Sequence, residues 1–214
     1  MVNYLPYLIA AYSTYLVGAS SPGPANLSIM QTAMNKGRRP GLALAIGVVA
    51  GSITWGICVA LGLAGLLQKY PNVFLILKTL GGCYFLWLAY RSIRSSFRGA
   101  SSIGTKATME ESVPIKPYKK YFLQGLGIHL TNPKAIFVWI GIIALGMPPE
   151  APSYIAPLIV AGCAFLGMLI FTTYALVFST QPMVRLYISI RRPFDLVIGL
   201  FFIFTGTKLL FPLL

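Results

Sequence analysis

Two short stretches concentrate the side chains that could bind a small polar solute. Ser21, Pro22, Gly23, Pro24 and Asn26 lie together in SSPGPAN, and Thr131, Asn132, Pro133 and Lys134 follow one another in TNPK, both inside otherwise apolar sequence. Proline removes a backbone donor and clashes with the preceding helical turn, and glycine admits conformations that other residues avoid. Each stretch therefore predicts a helix that stops and restarts. Asn132 before Pro133 has the form of a helix start, with asparagine as the cap and proline in the first turn, and Pro24 can begin a helix in the same way. A helix start carries unpaired N–H groups and the positive end of the aligned peptide dipoles, a setting suited to a carboxylate. Lys134 adds a full positive charge, which costs about 2.5–3.5 kcal/mol at the centre of a membrane helix. An anionic solute would offset that cost; the plainer alternative is a bond from Lys134 to backbone carbonyls. Carbonyls freed near residues 19–21, with the side chains of Ser21, Asn26 and Thr131, can accept hydrogen bonds from an ammonium group. The predicted pocket suits a zwitterion with one carboxylate and one amine. His129, one turn before Asn132, is the candidate for carrying a proton.

The elements that must position these residues are membrane helices. Of 214 residues 57% are hydrophobic, and only four acidic side chains stand against 17 basic ones. The expected fold is an all-α integral membrane protein, a single transmembrane domain covering residues 1–214. Six apolar spans fill it, at residues 4–34, 41–67, 73–93, 121–146, 154–179 and 194–214, each long enough for a bilayer that about 20 helical residues cross. Residues 1–93 form a first three-helix half, residues 94–120 a polar loop expected to be mobile, and residues 121–214 a second half. The basic residues sort by side: thirteen, including Lys36, Arg38, Arg39, Arg91, Lys119 and Arg192, fall on one, and only Lys69, Lys78 and Lys208 on the other. The richer side is expected to be cytoplasmic, which places both termini outside the cytoplasm. Scattered over short loops, these charges do not predict a nucleic-acid surface. The N-terminal MVNYLPYLIAAY has no basic residue before Lys36 and is not expected to be a cleaved signal. Cys58, Cys83 and Cys163 lie one per apolar segment, so neither a disulfide framework nor a metal site is expected, and no cofactor.

An internal echo links the halves. GCYFLWLAYR, beginning at Gly82, aligns without gaps on GLFFIFTGTK, beginning at Gly199; Phe85 meets Phe202 and Ala89 meets Gly206. Two halves of three spans each must insert in opposite senses, so the expectation is a pair of inverted repeats. Each half then begins with a broken span, and both breaks fall near mid-membrane, about 12 residues from the cytoplasmic charges at about 1.5 Å per residue. Gly47, Gly51, Gly62, Gly81 and Gly82 are expected to permit close helix contact. Trp55, Trp87 and Trp139 read as packing or interface anchors, Asp195 as an interfacial ion pair with Arg191 or Arg192, and Gln31 and Ser52 as weaker candidates for lining a pathway.

On SPGPAN in the first span, GRRPGLALAIGVVAGSITW into the second, GGCYFLWLAYRSIR in the third, FLQGLGIHLTNPKAIFVW in the fourth and RRPFDLVIGLFFIFTGTKLL in the last, the chain resembles the LysE/RhtB family of bacterial amino-acid exporters. The resemblance implies export of amino acids or their derivatives across the cytoplasmic (inner) membrane, driven by proton antiport with alternating access, often as a homodimer. Where many members carry Gly-Asp in the second span, this chain has Gly51-Ser52. That departure removes a partner for a cationic side chain and favours small neutral substrates of the threonine, homoserine and branched-chain class. It also leaves His129 as the remaining intramembrane candidate for proton coupling.

Three rival readings differ in class. Ser20, Ser21 and His129 could be imagined as a nucleophile and base, but no GxSxG elbow surrounds either serine and no acidic residue stands nearby in sequence to orient the histidine. The chain is not expected to be an enzyme. A passive channel, or a membrane scaffold subunit whose function lies in protein contacts, is the other alternative, and counterflow of labelled amino acid separates these from a carrier, which exchanges solute.

Overall fold

A computed structural model describes residues 4–69, 71–97, 117–148 and 151–211. Eight helices account for nearly all of them: α1 (Leu5–Ser20), α2 (Pro24–Lys36), α3 (Arg38–Lys69), α4 (Pro71–Phe97), α5 (Tyr118–Leu130), α6 (Pro133–Gly146), α7 (Ile155–Val177) and α8 (Gln181–Leu210). The protein is an all-α bundle. Three helices contain segments long and apolar enough to cross a membrane, in α3, α7 and α8, and α5 with α6 makes a fourth if that bent pair is one span. Residues 98–116, most of the polar stretch expected to be a mobile loop, lie outside the described residues.

Both proline stretches end one helix and begin another. α1 stops at Ser20 and α2 starts at Pro24, with Gly23 extended between them. α5 stops at Leu130, α6 starts at Pro133, and the two axes differ by 63°. Asn132 is the cap as expected, its Oδ1 accepting from the Lys134 backbone N–H at 3.1 Å. α8 begins at Gln181 and runs through Pro193; its segment long and apolar enough to cross a membrane is Arg192–Leu210, close to the last span expected from residue 194. An interior proline forfeits one ladder bond, and a membrane helix can absorb that loss.

Helix directions follow from which residues meet. Glycines bring α3 and α5 into backbone contact: a methyl group added at Gly47 would strike the Phe122 carbonyl, and one at Gly125 the Leu44 carbonyl. Gly51 lies against the Cβ of His129, so position rises together along both chains and the helices run parallel. α1 runs antiparallel to α6, with Gly18 on Val138 and Ala11 on Gly146, and parallel to α7, with Tyr12 on Gly162 and Tyr15 on Gly167. α4 and α8 run antiparallel through the echoed residues themselves. Phe85 stacks on Phe202 at 5.5 Å, Gly82 meets Gly206, and Ala89 meets Gly199.

Gly62 and Gly81 do not share this role, since Gly62 has nothing within reach and Gly81 only an ordinary contact with Ile140. Asp195 is buried beside α4, where the Ser92 hydroxyl donates to its backbone carbonyl at 2.8 Å. The α3–α5 contact carries the first prediction. Gly125→Ala forces two backbones apart, an overpacking cost of about 1–3 kcal/mol. A lowered melting temperature in detergent is the expected result; an unchanged one means these helices are not locked together.

Candidate functional site

The two breaks meet. The Lys134 ammonium, carried on the first turn of α6, donates to the Ser21 carbonyl at 2.8 Å and to Ser21 Oγ at 3.0 Å, at the end of α1. That end is the negative pole of α1, where helix carbonyls lack intrahelical partners. The neighbouring carbonyls are also engaged. Asn26 Nδ2 donates to Ala19 O at 2.8 Å and Ser21 O at 3.3 Å, and the Tyr174 hydroxyl of α7 donates to Ser20 O at 2.8 Å. The plainer alternative for Lys134 is therefore realised: its charge rests on the Ser21 carbonyl and hydroxyl, oxygens that were expected to take an ammonium group.

The start of α2 is different. Gly23 offers no side-chain cap and Pro24 has no N–H, so the amides of Ala25 and Asn26 in the first turn have no partner within the helix. Both residues are buried and line a cavity, together with Lys134, Asn132 and Gly23. The cavity itself is small, about 40 Å³, at the bottom of a recess of about 410 Å³ that includes its open mouth. The rest of the wall includes Tyr15, Ser52, His129, Val138, Trp139 and Phe171.

That wall holds a buried polar cluster. Trp139 Nε1 donates to Ser52 Oγ at 3.2 Å, and Ser52 shares a 3.1 Å hydrogen bond with the Tyr15 hydroxyl. His129 is 7% exposed and its ring meets Phe171 edge-on at 6.1 Å. Its Nδ1 is buried without a hydrogen-bond partner among the described residues. No group of three or more metal-ligating side chains occurs among the described residues.

The structure thus brings together Gly23, Asn26, Asn132, Lys134 and His129 of the expected residues, with Ser21 joined through Lys134. Pro22, Pro24 and Pro133 shape helix ends without lining the cavity. Thr131 is not drawn in: it is exposed, and its hydroxyl donates to Gly127 O of its own helix at 2.8 Å. Gln31 is exposed, whereas Ser52 has a central position. Tyr15, Trp139, Phe171 and Tyr174 were not anticipated. An aromatic residue in an apolar span carries no local signal separating a cavity wall from core.

The sequence profile of the family described as LysE type translocator matches residues 16–212. Among similar curated proteins, a membrane protein of Escherichia coli (strain K12) named YahN is 26% identical over 195 residues, 90% of this chain and 85% of its own. A threonine efflux protein of Salmonella typhimurium is 25% identical over 196 residues, 92% of this chain and 93% of its own. A threonine efflux protein of Escherichia coli (strain K12) is 28% identical over 131 residues, covering 61% and 62%. No solved structure matches the chain.

Proposed function

The chain belongs to the LysE type translocator family, and on that premise we propose that it exports small neutral amino acids or derivatives, of the threonine, homoserine and branched-chain class, by proton antiport with alternating access. The observation that carries the reading is the junction of the two breaks. One cavity holds both a full cation, Lys134, and an uncapped helix start, the first turn of α2. A carboxylate docks between them, accepting from the Ala25 and Asn26 amides and from the Lys134 ammonium. As Lys134 turns toward it, the Ser21 carbonyl and hydroxyl are released to the amine of the same molecule. Before docking, Lys134 thus holds the place that the substrate's own ammonium takes.

The neutral class is supported by the walls. Val138, Trp139 and Phe171 are apolar, and no acidic side chain lines the cavity among the described residues. His129, facing the same space, is the proposed proton carrier. Relatives named threonine efflux proteins fit this substrate class.

Six spans in two inverted halves, at the boundaries expected from the sequence, give the frame for alternating access. The packing directions support it. If α1 with α2 and α5 with α6 are each one broken span, then six crossings require α1 parallel to α7, α3 parallel to α5, and α4 antiparallel to α8, as is observed. The charge asymmetry supports termini outside the cytoplasm in the bacterial inner membrane, and a homodimer follows from the family resemblance alone.

Counterflow tests the reading. Proteoliposomes loaded with unlabelled threonine should transiently accumulate labelled threonine from outside, because a carrier exchanges solute. An imposed proton gradient should then drive net movement. Absence of exchange with threonine, homoserine and valine alike would leave a channel or scaffold as the better description.

A further inference from the structure

We propose that Tyr15, Ser52 and His129 form a subsite that reads a hydroxyl group, so that within the small neutral class this carrier selects hydroxylated side chains over branched hydrocarbon ones. The inference rests on the exporter reading above and narrows its substrate.

A count of hydrogen-bonding groups carries it. The indole N–H of Trp139 can only donate, so its 3.2 Å bond uses Ser52 Oγ as acceptor. Tyr15 and Ser52 together own two hydroxyl protons, and their mutual 3.1 Å bond uses one of them. The second proton has no acceptor among the described residues, whichever of the two oxygens carries it. His129 lines the same cavity, and its Nδ1 is buried without a partner among the described residues. A neutral imidazole keeps one nitrogen as acceptor and one as N–H donor. The lining therefore holds an unspent hydroxyl proton and an unspent imidazole acceptor.

Among the groups that a small amino acid can present, a hydroxyl answers both. Its oxygen accepts the spare proton from the Tyr15–Ser52 pair, and its own proton goes to the unprotonated ring nitrogen of His129. A methyl group satisfies neither, an ammonium cannot accept, and a carboxylate cannot donate. Buried polar groups left unpaired are costly, which is why a site built to hydrogen-bond a hydroxyl rejects the analogue that lacks it. Val138 and Phe171 complete the enclosure and leave the polar match as the discriminating feature.

Threonine and valine differ by a hydroxyl in place of a methyl group at nearly the same shape, so their affinities isolate the effect. Binding of each to the purified full-length protein can be read from the fluorescence of its tryptophans, Trp139 lying in the cavity wall, with titration calorimetry as a second measure. Threonine is expected to bind at least about tenfold tighter than valine, and serine tighter than alanine. In Tyr15→Phe and in His129→Phe, each of which removes one half of the match, the threonine-to-valine ratio should fall toward one. Equal affinities in the unaltered protein, or tighter valine binding, overturn the proposal without touching the exporter reading. A ratio unchanged in both variants overturns the assignment to these residues. Failure of every neutral amino acid to bind defeats both, and the counterflow result then shows that independently.

Discussion

Replacing Asn132 and Pro133 together by alanine and leucine should abolish efflux while leaving the protein inserted in the membrane at normal abundance. The pair ends α5 and starts α6, and the 63° change of direction lies between them. Alanine and leucine are strong helix formers, and the change restores the N–H that proline lacks and removes the Asn132 cap on Lys134 N. A continuous helix carries Lys134 to a new azimuth and takes its ammonium away from Ser21, so the cavity loses its cation. Insertion needs only apolar length, which the variant keeps. Release of preloaded amino acid from intact cells, against membrane abundance by immunoblot, is the measurement. Efflux at the unaltered rate would show that the second break has no part in transport.

Lys134→Met should cost binding far more than stability. An ammonium-to-carboxylate hydrogen bond contributes about 1.5–3 kcal/mol, so affinity for the substrate should drop by about 10- to 100-fold. Folding loses the bonds to Ser21. It also sheds the cost of holding a cation in apolar surroundings, about 2.5–3.5 kcal/mol. These terms nearly cancel, and the melting temperature in detergent should move little. Affinity like that of the unaltered protein would exclude Lys134 from contact with the substrate. A collapse of stability would show that its bond across the two breaks is mainly structural.

The breaks were legible in the sequence because proline and glycine act locally: a missing donor and a free φ need no tertiary context to stop a helix. Asn132 as a cap was legible for the same reason. The destination of Lys134 was not, since its partner Ser21 lies 113 positions away and only the packing of α1 on α6 brings them together. Nor could spacing tell that Asn26 and Tyr174 would engage the carbonyls of residues 19–21. Thr131 shows the opposite error. A hydroxyl beside a break looks available, yet its nearest acceptor is the carbonyl four residues earlier in its own helix, and the side chain folds back onto it. The rest of the wall was hidden by composition, because Tyr15, Trp139 and Phe171 sit in apolar runs where most aromatics are filler. α8 extends back from its apolar segment to Gln181, since the interior Pro193 costs one bond in a helix of 30 residues.

The meeting of α4 with α8 has a consequence for assembly. Gly82 faces Gly206 while Ala89 faces Gly199, and Phe85 faces Phe202; under the sequence echo these are the same contact written twice, once in each direction. A surface of that kind is its own complement, as in an isologous dimer. Under the proposed pair of inverted halves, each half then carries the address of the other on its face. The peptide that ties them together supplies proximity, and the glycine-and-phenylalanine seam supplies the recognition.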